Sequence, residues 1–221
     1  MADEGFKRKL AAILSADVEG YSRLMDDDEE ATVRTLKAYR ATINDLVQQY
    51  RGRIVDSPGD NILAEYTSVV DAVNCAVEIQ RELAERNVEL AYNRKMEFRI
   101  GVNIGDVIED DGNIYGDGVN IAARIEGLAE GGGICISRTS FDSVKNKLNL
   151  GYEYLGEHAV KNIAEPVRVY KVLMEPKYAG QVIGEKKLKP QQWWRAAIGP
   201  VAVLIIVAGA LAIWNFYLRP D

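Results

Sequence analysis

The chain has 221 residues, 27% of them charged, and a formal net charge of −6 at neutral pH. This balance disfavours a nucleic-acid-binding protein that relies on a basic surface. The length suits one domain plus a smaller element. Two cysteines, Cys75 and Cys135, lie in apolar, periodic stretches, so we interpret both as buried small hydrophobes rather than as a disulfide or a metal-ligand pair. His158, the single histidine, has no partner residues nearby to complete a zinc site.

The first predicted strand is a short apolar run, residues 10–15, which stops just before Asp17. The run is too short and too soon interrupted to be a signal peptide. An acidic stretch follows, which suits the start of a helix. Apolar residues then recur at helical spacing and predict one long amphipathic helix. These residues are Val33, Leu36, Tyr39, Ile43, Leu46 and Val47.

A hairpin is predicted over residues 54–66, with Asp60 at the tip of its Ser-Pro-Gly-Asp turn. Asp17 and Asp60 therefore both lie at strand ends that can be neighbours in one sheet. For either carboxylate alone, a solvated turn residue is the simpler interpretation. Together they favour a site for hard divalent cations, because Mg²⁺ takes oxygen ligands from one or two carboxylates and from substrate phosphates.

A second helix is predicted to begin after Thr67 and Ser68, which suit an N-cap. Beyond a polar connector at residues 92–97, apolar residues alternate from 98 to 104 and predict a strand. Gly105 and Asp106 are expected to turn the chain into another short strand at residues 107–108.

A glycine-rich segment, residues 116–118, opens a helix on which Asn120 and Arg124 lie four residues apart and so share a face. Glycines 131–133 end this helix before a strand at residues 134–136. Two late strands, 152–160 and 167–172, are predicted to pair. This alternation predicts an α/β (α+β) sandwich over residues 1–174, with a mixed sheet and helices on one face.

Residues 175–195 have the composition of a basic linker, and residues 196–218 contain no charged side chain. At about 1.5 Å per residue this length spans the roughly 30 Å hydrocarbon core, so it predicts a transmembrane helix. Aromatic residues stand at both borders, and basic residues are more numerous before the helix than after it. The positive-inside rule therefore predicts a single-pass protein of the inner (cytoplasmic) membrane with its globular domain in the cytoplasm. Of a tail anchor and a natural chain that continues beyond residue 221, we favour the second.

Three sequence motifs resemble those of class III nucleotidyl cyclases. The segment ADVEGYS resembles the family's strand-end metal motif, the hairpin with Gly59-Asp60 resembles its second metal motif, and YGDGVNIAARIEGLA resembles its Asn-x-Ala-Ala-Arg helix. They occur in the family's order over residues 9–173, which makes the match specific. The resemblance implies a ferredoxin-like mixed sheet and conversion of ATP or GTP into a 3′,5′-cyclic nucleotide and pyrophosphate.

The resemblance also implies roles for individual residues. Asp17, Asp60 and the backbone carbonyl of Val18 would hold two Mg²⁺ or Mn²⁺ ions. Asn120 would orient the ribose. Arg124 would neutralise the charge that grows on the transferring phosphate, because its guanidinium is always charged and presents a rigid fork of donors.

Phosphate-binding roles fall on Arg99, Lys161, Tyr21 and Ser22. The residues after Lys161 differ from the family's usual pattern. For Arg99, a charge that extends to solvent from a strand end is an equally good interpretation. For Arg124, the alternative is a surface salt bridge of small energetic value.

In the family, the metal aspartates come from one chain, and the base-contacting, Asn and Arg residues come from its partner. The resemblance therefore implies a head-to-tail homodimer with two shared active sites. It also leaves a second function open: a weak or inactive cyclase-like module that binds nucleotide, or only a protein partner, without turnover.

The residues expected to read the base depart from the adenylate cyclase pattern. A Lys usually stands four residues before the hairpin Asp, and an acid or Thr seven residues before the helix Asn; here these positions hold Asp56 and Asn113. A carboxylate cannot donate to adenine N1, but it can accept from guanine N1–H and its amine while Asn113 donates to O6. Alternatively, Asn113 alone reads adenine and Asp56 turns to solvent. The family favours ATP and the local chemistry leans towards GTP.

Overall fold

The computed structural model describes residues 7–161, 163 and 165–185. Over this part of the chain it contains nine strands and five α-helices. The strands are β1 (Lys7–Val18), β2 (Gly52–Asp56), β3 (Ile62–Tyr66), β4 (Phe98–Asp110), β5 (Asn113–Tyr115), β6 (Ile134–Ser137), β7 (Gly151–His158), β8 (Val167–Leu173) and β9 (Val182–Ile183). The helices are α1 (Tyr21–Asp27), α2 (Glu29–Gln49), α3 (Val69–Val88), α4 (Asp117–Glu126) and α5 (Arg138–Val144).

All nine strands belong to one sheet in the order β2-β3-β1-β4-β6-β8-β7-β9, with β5 paired to β4. Strand β1 pairs antiparallel with β3 on one side and with β4 on the other. The β4–β6 and β7–β9 pairs are parallel, and the remaining pairs are antiparallel. The prediction of a mixed sheet is therefore confirmed.

Helices α2, α3 and α5 cover one face of the sheet, where they share its main hydrophobic cluster. Helix α4 packs on the opposite face, where Ala122 belongs to a second hydrophobic cluster with Ala11 and Ile13. The prediction of helices on one face was therefore wrong for α4. The close approach of α4 requires Gly101, since a Cβ there would overlap the Ala122 carbonyl.

Strand β4 runs without a break through Gly105 and Asp106, so the predicted turn at these residues was wrong. Its ladder with β1 continues over twelve residue pairs and keeps the chain extended. The chain reverses five residues later at Asp111 and Gly112, whose φ angles of 46° and 79° suit a tight hairpin turn. This turn leads directly into β5, which begins at Asn113.

The segment after β8 adds a short edge strand to the sheet, although the sequence assigned it to a linker. The Tyr152 amide donates to the Gln181 carbonyl at 2.9 Å, and Arg138 forms a 2.6 Å ion pair with Glu185. In the described residues no helix has the length and apolar character needed to cross a membrane. The predicted transmembrane helix, residues 196–218, lies outside the described residues.

Candidate functional site

Asp17 and Asp60 lie near the same end of the neighbouring strands β1 and β3. Ala16 of β1 pairs directly with Ile62 of β3. Asp17 comes one residue after Ala16, and Asp60 comes two residues before Ile62. Asp60 is partly exposed in the turn between β2 and β3. Val18 is the last residue of β1, and its side chain is buried. The structure therefore brings together the three residues that the sequence suggests for cations.

Arg99 binds the Asp17 carboxylate directly. The two residues face each other across the β1–β4 ladder. Arg99 Nε donates to Asp17 Oδ1 at 2.9 Å, and Nη2 donates to Oδ2 at 2.5 Å. This bidentate contact is the main cause that raises the pKa of Arg99 above its ordinary value. Arg99 is therefore paired with a candidate metal ligand rather than extended into solvent.

A buried carboxyl group, Glu126 of α4, lies behind this pair. Its side chain is 4% exposed, and its Oε2 accepts a 2.6 Å hydrogen bond from Ser15 Oγ. Burial raises the pKa of Glu126 well above its ordinary value, and the nearby charge of Asp17 raises it further. The Ser15 hydrogen bond and the charge of Arg99 lower the pKa but do not cancel this rise. The group is thus disposed to stay protonated near neutral pH.

The sequence analysis missed Glu126. A signal was available, because the residue lies four positions after Ala122 and therefore on the helix face that contacts the sheet. A carboxylate on an apolar helix face needs a polar partner. That partner, Ser15, is separated from it by 111 positions along the chain, so only the tertiary structure identifies it.

The two residues predicted to read the base lie on adjacent β-hairpins. Asp56 is exposed at the end of β2, and its Oδ1 accepts a 2.7 Å hydrogen bond from the Ser57 amide. Asn113 is partly exposed at the start of β5. Arg53 joins the two hairpins, since its Nη1 donates to the Gly112 carbonyl at 2.6 Å.

Asn120 and Arg124 are exposed on α4. Neither side chain forms a hydrogen bond or an ion pair with any residue that the structure describes. Lys161 is exposed in the β7–β8 connection. In α1, Tyr21 is partly buried and Ser22 is exposed. The structure therefore groups the carboxylates and Arg99, and leaves Asn120 and Arg124 free to contact another molecule.

A cavity of about 950 Å³ opens between the start of α4 and the β7–β8 hairpin, and its wall includes Asp117, Ile121 and Val167. Asp17 and Asp60 do not line it. Over residues 7–161, 163 and 165–185, no group of three or more Asp, Glu, His or Cys side chains is arranged to hold a metal ion. An ion at Asp17 and Asp60 would take further oxygen ligands from the Val18 carbonyl and from phosphates.

Residues 7–175 match the family described as adenylate and guanylate cyclase catalytic domain. The chain is 43% identical over 171 residues to "Putative adenylate cyclase 3" of Rhizobium meliloti (strain 1021), an alignment that covers 77% of this chain and 29% of the relative. It is 33% identical over 129 residues to an adenylate cyclase of Streptomyces coelicolor, covering 58% and 32%. The chain spans about a third of the length of these curated relatives.

Two solved structures share the fold. A crystal structure named adenylate/guanylate cyclase/hydrolase, from Silicibacter pomeroyi, superposes with a TM-score of 0.72 at 38% identity and covers 76% of this chain and 99% of that one. The guanylyl cyclase Cya2 superposes with a TM-score of 0.65 at 26% identity, covering 76% and 93%. About three quarters of the chain therefore has the fold of these structures.

Proposed function

The chain belongs to the adenylate and guanylate cyclase catalytic domain family, and we propose that it converts ATP or GTP into a 3′,5′-cyclic nucleotide and pyrophosphate in a head-to-tail homodimer. One observation carries the proposal. Asp17 and Asp60 lie at the same end of the neighbouring strands β1 and β3, whereas Asn120 and Arg124 face solvent on α4. Two copies of the chain can combine these halves into two equivalent sites related by twofold symmetry.

The candidate ligands at these strand ends suit Mg²⁺ or Mn²⁺. All of them are oxygen ligands: two carboxylates and the Val18 carbonyl. Such ions are usually held by only one or two carboxylates, so coordination positions remain for oxygens of the triphosphate. When bound, two ions would favour deprotonation of the ribose 3′-hydroxyl and offset the negative charge of the triphosphate. In this proposal Asp17 and Asp60 hold both ions.

Arg99 has two alternative partners in the proposed cycle. Without nucleotide it neutralises Asp17 through a bidentate contact. When the Asp17 carboxylate turns to the cations, the same planar fork is available for phosphate oxygens, which it fits equally well. Tyr21 and Ser22, in the first turn of α1 four and five residues after Asp17, would bind the same triphosphate.

The partner chain would supply Asn120, Arg124 and Lys161. Asn120 would hold the ribose so that its 3′-oxygen is in line with the α-phosphorus. Arg124 would stabilise the charge that develops as the new O–P bond forms and pyrophosphate leaves. Lys161 would pair with the leaving phosphates. Positioning and electrostatic stabilisation are the main catalytic contributions in phosphoryl transfer, which suits this set of residues.

Base selectivity would depend on Asp56 and Asn113. Asp56 is exposed at its strand end, where its carboxylate can accept from guanine N1–H and the exocyclic amine while Asn113 donates to O6. With Asp56 turned to solvent, Asn113 can instead read adenine. Relatives of the chain carry both adenylate and guanylyl cyclase names, so both nucleotides need to be assayed.

Product analysis of the purified chain with ATP or GTP and Mn²⁺ tests the activity. Mixing inactive Asp17→Asn chains with inactive Arg124→Ala chains tests the shared site, because one of the two sites in a mixed dimer carries neither lesion. We expect partial recovery of activity. If mixed dimers form but remain inactive, the shared-site arrangement is wrong; if the wild-type chain binds nucleotide without turnover, it is a binding module.

We further propose that the chain is anchored in the cytoplasmic membrane, with its catalytic domain in the cytoplasm. Support comes from the uncharged stretch at residues 196–218 and the basic residues before it. Deletion of residues 191–221 should move the protein from the membrane fraction to the soluble fraction. A truncated protein that stays with the membrane would contradict the single-anchor proposal.

A further inference from the structure

The turn that carries Asp60 is held by an arginine on a helix outside the site. Arg40 belongs to α2 and is partly buried. One nitrogen of its guanidinium, Nη2, lies within hydrogen-bond distance of three backbone carbonyls of this turn, which share its two N–H groups. These carbonyls, with their distances from Nη2, are those of Ser57 at 2.9 Å, Gly59 at 2.5 Å and Asn61 at 3.2 Å.

The turn has few hydrogen bonds of its own. In the described structure, the Asn61 amide donates to the Pro58 carbonyl at 3.0 Å, and the Ser57 amide donates to the Asp56 side chain. The β2–β3 register shifts between Ile54 and Asp56, so an irregularity in the strand pairing lies directly before the turn. Gly59 has a φ of 58°. A segment of this kind can adopt several conformations unless another element fixes it.

The charge of Arg40 is directed at carbonyl oxygens rather than at a carboxylate. Over the residues that the structure describes, Arg40 forms no ion pair with an acidic side chain. Hydrogen bonds from a charged donor are shorter and stronger than those between neutral groups. The planar guanidinium also keeps the two N–H groups of Nη2 in a fixed plane, which restricts the positions of the carbonyls that they contact.

We propose that Arg40 is a positioning residue, which holds the β2–β3 turn so that the Asp60 carboxylate is aimed at the cation site and Asp56 at the nucleotide base. The roles of Asp60 and Asp56 rest on the proposed function, whereas the hold on the turn does not. Arg40 would thereby influence cation affinity and base selectivity together, because one turn carries both residues. Its side chain reaches neither the cations nor the nucleotide.

The experiment compares Arg40→Met with Arg34→Met in the full-length chain. Arg34 lies six residues earlier on the same helix and is exposed, and among the residues that the structure describes its side chain pairs with Glu30 alone, one turn away. Its variant is therefore the matched control. Hydrogen exchange in the absence of nucleotide measures the order of residues 56–61. We expect about tenfold faster exchange of this segment in Arg40→Met, unchanged exchange in α4, and wild-type behaviour in Arg34→Met.

The kinetic part measures the Mn²⁺ concentration for half-maximal activity and the ATP-to-GTP ratio of kcat/KM. Loss of a residue that orients a metal ligand typically weakens metal binding by about 10–100-fold. We expect at least a tenfold rise in half-saturating Mn²⁺ and a changed nucleotide ratio in Arg40→Met, with neither effect in Arg34→Met. A merely structural role would lower the melting temperature without moving these two quantities.

Each outcome decides the proposal. Unchanged exchange at residues 56–61 would overturn it, whether or not the protein is active. Faster exchange with unchanged Mn²⁺ dependence and nucleotide ratio would also overturn it, because the turn would then not control the site. If the wild-type chain makes no cyclic nucleotide, the proposed function fails while hydrogen exchange still tests the hold on the turn. If Arg40→Met does not fold, Arg40→Gln takes its place under the same criteria.

Discussion

The two faces of strand β1 differ most where the strand ends. On the face covered by α2 and α3, Ala16 and Val18 continue the main hydrophobic cluster to the edge of the sheet. On the face covered by α4, the alternate residues Ser15 and Asp17 are polar, and they contact Glu126 and Arg99 respectively. One strand therefore serves a dry core on one side and a set of charged groups on the other.

This difference indicates how the domain separates stability from its proposed chemistry. Alternation of side chains places residues only one position apart on opposite faces. The apolar face can stabilise the fold through buried area, while the α4 face tolerates a buried carboxyl group and an arginine because each has a polar partner. Substitutions on the two faces should consequently affect different measurements, and the following four predictions test this separation.

The largest expected effect comes from the charged face. Replacing Asp17 or Asp60 by Asn removes a cation ligand while keeping the size of the side chain, so we expect a loss of kcat of at least about 10²–10³-fold. The melting temperature should change little for Asp60→Asn, whereas Asp17→Asn also loses its ion pair with Arg99. Steady-state assays with Mn²⁺ and thermal unfolding measure both quantities. Asp45→Asn, an exposed substitution on α2, is the control. Near-normal turnover in either variant would refute the two-metal assignment.

The second prediction concerns the apolar face. Leu14 is fully buried in the main cluster, and Leu14→Ala should reduce the free energy of unfolding by about 2–5 kcal/mol. Ser15→Ala, at the next position, should cost about 1–3 kcal/mol by leaving buried Glu126 without its donor. Urea unfolding measures both losses of stability. For each kcal/mol of stability lost, Ser15→Ala should lose more activity than Leu14→Ala. Equal ratios of activity loss to stability loss would contradict the separation of the two faces.

The third prediction uses the raised pKa of Glu126. A carboxyl group whose folded-state pKa is raised stabilises the fold fully below its unfolded pKa of about 4.3, and this stability is lost as pH rises through the folded pKa. Glu126→Gln removes that loss, because Gln does not ionise. The difference in melting temperature between the variant and the wild type should therefore shift in favour of the variant by roughly 5 °C between pH 5 and pH 8.5. Thermal unfolding with EDTA measures it, and exposed Glu30→Gln is the control. Parallel pH profiles would show that Glu126 ionises normally.

The smallest expected effect is on selectivity. Asp56→Lys replaces an acceptor by a donor at the end of β2. If Asp56 contacts the base, the ATP-to-GTP ratio of kcat/KM should rise by about tenfold, since each unmatched hydrogen-bonding group costs roughly 1–3 kcal/mol. Steady-state kinetics with both nucleotides measures the ratio, and Asp45→Lys is the control. An unchanged ratio would mean that Asp56 does not touch the base.

Local sequence patterns predicted the elements that local physics determines. The hairpin with Asp60 in its turn followed from its Ser-Pro-Gly-Asp turn between apolar runs. Ser68 is the N-cap of α3, where its side chain accepts from the Asp71 amide. Both cysteines are free and buried, as their apolar surroundings indicated. The turn predicted at Gly105 was wrong because the long ladder with β1 outweighs the local preference of glycine.

The sequence by itself determined the family, the hairpin that carries Asp60, the helix that carries Asn120 and Arg124, and the identity of the candidate ligands, because each is written in a contiguous motif. Only the tertiary structure decided that α4 covers the second face of the sheet, that Arg99 neutralises Asp17, and that Glu126 is buried against Ser15. These contacts join residues 82 and 111 positions apart. Helical periodicity shows that a face is apolar but not which surface it meets, and no local pattern encodes the partner of a distant charge.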